Sequence, residues 1–144
     1  MTRLSLRALG AFALLAFALP ALAQSPVGTW RTIDDETGEP RSLVRIVERD
    51  GKLYGFVQEV LSGPNRCADC AGRYKNQNLR GVQILSGFSR DGGTWEDGQI
   101  TDPRRDKTYK AKMEVLRDGR LKVWGYLGVD TPLTRREQFW ERVR

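Results

Sequence analysis

The 144-residue chain contains no histidine, and Cys67 and Cys70 are its only cysteines. Without an imidazole, Ser-His and Cys-His nucleophilic catalysis as usually built is excluded. Two cysteines alone also fall short of the roughly four ligands that a structural zinc site takes. No glycine-rich phosphate loop is present, because the glycines fall at turn signals. Beyond residue 23 no apolar run approaches the ~20 residues that span a bilayer. No segment carries the 3.6-residue hydrophobic period of an amphipathic helix. Charge of one sign forms no long block: acidic and basic residues alternate through the chain, which predicts a solvated surface of mixed charge and not a nucleic-acid face.

The N-terminal stretch carries a distinct signal. Arg3 and Arg7 precede an apolar run, Pro20 breaks it, and Ala21-Leu22-Ala23 has the small-x-small form of a leader cleavage site. Residues 1–23 are therefore expected to be a signal peptide, and residues 24–144 a single exported domain, periplasmic or secreted. No cysteine follows the cleavage point to take a lipid. Removing the two leader arginines leaves 22 basic against 18 acidic residues, a net of +4.

From Gly28 onward, runs of alternating polarity are separated by turn signals. Asp50-Gly51, Asp91-Gly92 and Asp118-Gly119 read as hairpin turns, and Asp97-Gly98 as a bulge. The spacing predicts strands over residues 29–34, 42–49, 52–61, 81–90, 94–101, 108–117, 120–128 and 137–143. Val44 and Ile46 alternate with Arg45, and Tyr109, Ala111, Met113 and Val115 alternate with Lys110, Lys112 and Glu114, the pattern of a strand with one wet face. Eight such strands in up-and-down order predict a small all-β antiparallel barrel. Gly55, Gly87 and Gly125 interrupt strands where a barrel bends. The longest irregular stretch, residues 62–80, holds both cysteines.

In an exported chain, Cys67-Ala-Asp-Cys70 is expected to form a disulfide that shapes this loop. The alternative is thiol–disulfide exchange, which lowers a thiol pKa at a helix start in a βαβ setting; no helical pattern follows the motif. Asp34, Asp35 and Glu36 cluster, and Asp102 precedes Pro103, but such acids commonly form turns. Nothing in their spacing brings two carboxyls to the 5–9.5 Å of a glycosidase pair.

Gly28-Thr29-Trp30 at the start and Trp140-Glu141-Arg142 at the end resemble the lipocalin and calycin arrangement. There an early tryptophan plugs the barrel base and a late arginine, here Arg142 or Arg136, caps the indole. Trp30, Trp140 and Arg142 are thereby assigned to barrel closure. The mature chain also resembles the bacterial domain-of-unknown-function family numbered 2147. The matching residues are Gly28-x-Trp30, Gly51-Lys52-Leu53-Tyr54-Gly55, Cys67-x-x-Cys70, Lys75-Asn76, Gly81 and Trp95-x-x-Gly98-x-Ile100-x-Asp102-Pro103. They continue through Tyr109-Lys110, Leu121-Lys122-Val123-x-Gly125-Tyr126-x-Gly128 and Arg136-x-Gln138-x-Trp140-x-Arg142. Arg135 and Glu137 depart from the Gly and Thr expected beside that arginine.

The resemblance implies an exported lipocalin-like barrel and singles out Lys75, Asn76, Asp102, Tyr109 and Arg136 as polar residues for ligand binding. The expected function is non-enzymatic binding of a small apolar or amphipathic ligand, with no cofactor, no metal, no nucleic-acid partner and no membrane span in the mature form. The alternative is an envelope protein–protein interaction module that uses the Cys67–Cys70 loop. A cavity of ~300 Å³ or more inside the barrel would favour the carrier.

Overall fold

A computed structural model describes residues 24–143; the expected leader lies outside the described residues. The ten strands are β1 (Gly28–Ile33), β2 (Pro40–Arg49), β3 (Lys52–Val60), β4 (Arg66–Cys67), β5 (Gln77–Asn78), β6 (Gln83–Asp91), β7 (Thr94–Asp102), β8 (Lys107–Val115), β9 (Leu121–Tyr126) and β10 (Arg135–Val143). One 3₁₀ turn, Gly72–Tyr74, is the only helical element among the described residues. None of these residues forms a helix long and apolar enough to cross a membrane.

Eight strands close into a barrel in the order β1-β10-β9-β8-β7-β6-β3-β2, each paired antiparallel with its neighbours. Full closure leaves the ring no free edge to pair with another chain. The expected eight strands are all present, their ends moved by only a few residues. The pair β4–β5 is an addition inside the cysteine loop that no alternation foretold.

The turn chemistry acts as the sequence predicts. Asp50 (φ 51°) and Gly51 (φ 76°) both take left-handed backbone between β2 and β3, the geometry of a type I′ hairpin. At Asp97-Gly98 the β7–β8 register slips, and Asp97 has φ 58°, so that dipeptide is a bulge. Gly98 has a second reason to be glycine: a Cβ there would collide with the Phe88 ring.

The half of the barrel nearest the start of β1 and the end of β10 is solid. Trp30, Val44, Ile46, Leu53, Leu85, Phe88 and Met113 are fully buried there. The base is sealed by Trp30, whose indole Nε1 donates to the Pro26 carbonyl at 2.7 Å. Beneath it the Arg142 guanidinium sits 4.2 Å from the ring centroid and donates to the carbonyls of Val27 and Ser25. Arg142, and not Arg136, is the cap. Gly28 lets it pass: a Cβ there would meet Arg142 Nη1 at 2.9 Å, and its φ of 142° suits glycine.

Trp30→Ala is expected to cost about 3–5 kcal/mol and Arg142→Ala about 1 kcal/mol. Urea denaturation checks this ranking; an Arg142→Ala loss equal to that of Trp30→Ala would contradict the plug-and-cap description.

Candidate functional site

Above that packed base the barrel is hollow. A cavity of about 650 Å³ fills its upper half and opens among the loops 34–39, 61–82, 103–106 and 127–134. Its floor is Val57, Val123 and Trp140, all buried. Ile84, Ile100, Tyr109 and Gln138 form the wall above. The change from solid to hollow follows the inward positions of each strand. Along β10, counting up from the base, these are Arg142, Trp140, Gln138 and Arg136. Along β9, Leu121 and Val123 give way to Gly125. Large apolar residues stop halfway, and small or polar ones line the rest.

Polar groups in the wall are largely paired among themselves. Trp140 Nε1 donates to Gln138 Oε1 at 3.0 Å. The Thr32 and Ser42 hydroxyls are 2.9 Å apart, and the Ser42 backbone N–H donates to Thr32 Oγ1 at 3.1 Å. Tyr109 is half-buried in the wall.

At the mouth, Arg136 grips Asp35 with two hydrogen bonds, Nε to Oδ2 at 2.7 Å and Nη2 to Oδ1 at 2.6 Å. Arg41 pairs with Asp34 beside it. Asp34 also organises the β1–β2 loop, its Oδ1 accepting the backbone N–H groups of Thr37 and Glu36 at 3.0 and 2.8 Å. The Thr37 N–H, then the Arg41 guanidinium and the Glu36 N–H, hold the Asp34 carboxyl down at about 2. The Arg136 hydrogen bond likewise holds Asp35 below the ordinary carboxylate range, and Asp35 raises Arg136 in return. Arg105 lies 3.7 Å from Asp102, whose Oδ1 accepts the Arg104 N–H at 3.0 Å.

A general acid working near neutrality needs a raised carboxyl pKa; Asp34 and Asp35 are moved the other way. Five arginines (41, 66, 104, 105, 136) face five acids (34, 35, 36, 69, 102) around the cavity. The mouth therefore selects no ion by net charge.

The cysteine loop builds the side wall. Cys67 and Cys70 are disulfide-bonded and both buried. Asn76 N–H donates to the Cys67 carbonyl at 2.7 Å, and Ala71 N–H to Arg104 O at 2.9 Å, which ties the loop to the β7–β8 turn. Arg73 Nε bonds Asp106 Oδ1 at 2.8 Å. Gly63, Pro64, Cys67 and Ala68 thus come to line the cavity.

Of the polar residues singled out from sequence, Asp102, Tyr109 and Arg136 meet at the cavity. Lys75 and Asn76 do not: both are exposed outside its lining, and Asn76, at φ 59°, shapes the loop turn. Trp30 and Arg142 stand at the base, whereas Trp140 is the cavity floor. Sequence reasoning missed Asp35 and Gln138. The period of two running back from Trp140 points to Gln138, but nothing local links Asp35 to an arginine 101 positions away. Arg135 and Glu137, the departures from the family pattern, lie together on the outer face of β10, 3.4 Å apart.

Because Asp34 falls from an ordinary 3.8 to about 2 on folding, its contribution is fully present above about pH 4 and is lost as pH drops towards about 2. Asp34→Asn is expected to flatten that part of the stability profile. Thermal melts across this range check it; an unchanged acid profile would contradict the role given to Asp34.

The model of a family described as uncharacterized proteins conserved in bacteria, DUF2147, matches residues 28–142. Among solved structures, the barrel is similar to protein HP1028 from Helicobacter pylori, described as belonging to the lipocalin family, with a TM-score of 0.67, 18% identity and 82% of each chain covered. No curated protein matches the sequence. At that identity the likeness is one of fold, and the fold is a lipocalin-like closed barrel of eight antiparallel strands. The matched segment runs from the glycine before the base tryptophan to the arginine that caps it, and the chain belongs to the DUF2147 family.

Proposed function

We propose that this protein is an exported, non-enzymatic carrier that binds one small apolar or amphipathic ligand inside the barrel. The observation that carries the reading is the open half-barrel of about 650 Å³ above a sealed base. Small-molecule sites are typically concavities of ~300–1,000 Å³ with apolar walls and a few oriented polar groups. Here Ile84, Ile100, Val57, Val123 and Trp140 supply the apolar wall, and Tyr109, Gln138 and the Arg136–Asp35 pair supply polar contacts at and below the mouth. The apolar part of a ligand would lie on the floor, and its polar end would face the ring of compensated charges.

The packing of the Cys67–Cys70 loop supports this reading over an interaction module, since the loop's inner residues are spent on the cavity wall. Burial of both cysteines also disfavours thiol exchange, which requires an accessible thiolate. Export rests on the leader pattern of residues 1–23, and the processed chain is expected to begin at Gln24. Intact mass of protein recovered from the producing cell checks this; retention of residues 1–23 would contradict it.

An apolar fluorophore that brightens on leaving water is expected to bind at about one equivalent per barrel. Ile84→Trp, which places an indole into the cavity from its half-buried wall, is expected to weaken that binding at least about tenfold while leaving the melting temperature close to that of the parent. Displacement titration alongside thermal melts tests both. Absence of binding, or full binding in Ile84→Trp, would overturn the carrier reading.

A further inference from the structure

The β9–β10 loop, residues 127–134, is built inside out. Asp130 is turned towards the barrel, and Thr131 and Thr134 brace the loop by bonds within it. Asp130 Oδ2 accepts from Trp124 Nε1 at 3.2 Å and pairs with Lys112 at 3.2 Å. Its Oδ1 lies 3.1 Å from Arg135 Nη2, an ion contact without an aligned hydrogen bond. Thr134 Oγ1 donates to the Val129 carbonyl at 2.6 Å and accepts the Thr131 N–H at 3.0 Å. The apolar side chains point to water: Leu127 is 65% exposed, Val129 74% and Leu133 98%. Isolated exposed leucines are commonplace. Three on one braced loop, among the largest exposures of any bulky apolar residues described, form a contact surface.

Once internal pairs are removed, exposed cations remain beside this loop, while Asp69, which also lines the mouth, has no cation partner among the described residues. Asp130 is used by Lys112 and Arg135, Asp102 by Arg105 and Asp106 by Arg73. Arg104, Lys107 and Lys110 are exposed and have no carboxylate partner among the described residues. Lys110 stands opposite Tyr126, the last residue of β9 before the loop, and Lys107 begins the same strand. Arg104 and Leu127 both line the cavity mouth. Apolar side chains on a braced projection, flanked by free cations, match the requirements of an anionic lipid interface, where the former enter the acyl boundary and the latter meet headgroup phosphates.

We propose that the protein docks its open end on anionic membrane surfaces through the 127–134 loop, with Leu133, Val129 and Leu127 inserted and Arg104, Lys107 and Lys110 at the headgroups. This goes beyond the carrier reading and stands without it, since it requires no ligand in the cavity.

The test is co-sedimentation of the processed protein with vesicles of phosphatidylglycerol and phosphatidylethanolamine, compared with vesicles of phosphatidylcholine alone. Binding to the anionic vesicles is expected, weakened by added salt. Leu133→Ser, at a site that touches almost nothing, is expected to reduce it about tenfold. The triple variant Arg104→Gln, Lys107→Gln, Lys110→Gln is expected to reduce it by at least as much. Leu133→Trp gives a second readout independent of pelleting, its emission shifting to the blue with anionic vesicles. No pelleting with anionic vesicles, or equal pelleting of Leu133→Ser, would overturn the proposal. So would a lipid-free dimer that Leu133→Ser abolishes, which would assign the loop to a second copy of the chain.

Discussion

Closure of the ring at β1 and β10 is the constraint on which the other features rest. The two strands are the first and last among the described residues, and their pairing, with Trp30 opposite Arg142, brings the start of β1 and the end of β10 together at one pole. There a single stack of indole and guanidinium does two jobs. It excludes water from the base of the core, and it draws the segment before β1 underneath as a seal, through the carbonyls of Ser25, Pro26 and Val27. Once that pole is shut, any access to the interior must lie at the other.

The upper half stays open because its inward positions cannot fill it. Gly125, Thr32, Ser42 and Gln138 are small or polar where the lower layers carry Trp, Phe and Leu. Charges placed at such a mouth would be costly if left unpaired in a partly desolvated rim. Arg136 with Asp35 and Arg41 with Asp34 meet that cost locally, and in doing so pin the β1–β2 loop over the edge of the cavity. Pairing removes these carboxylates from acid–base chemistry and leaves a rim that can face a polar head without demanding an ion. The braced apolar loop of the proposed membrane contact stands on the same rim.

Much of this architecture is legible in the sequence because β structure writes a period of two. Val44 and Ile46, and Ala111 and Met113, alternate as expected and are buried as expected. The Asp-Gly dipeptides mark turns because left-handed backbone is needed there; Asp97-Gly98 takes it too, and the register slip between β7 and β8 makes that dipeptide a bulge. Long-range events leave no such trace. The Asp35–Arg136 grip joins residues 101 positions apart, and the cysteine loop forms its short β4–β5 ribbon from residues with no strand pattern. The predicted strand over 120–128 runs two residues too far at its end, because Leu127 and Gly128 belong to the exposed β9–β10 loop. Lys75 and Asn76 illustrate the limit of carrying residues over from a family pattern: a motif position can serve the backbone of a loop and never reach the site.

The central claim is that the upper half of this barrel is an accessible apolar cavity. Intermolecular nuclear Overhauser effects from a small apolar probe to the methyl groups of the protein test it most directly. Cross-peaks to Val57, Ile84, Ile100 and Val123, with none to Val44, Ile46 or Leu53 in the sealed half, are the predicted result. A probe that contacts only outer-face residues, or none, would contradict the account.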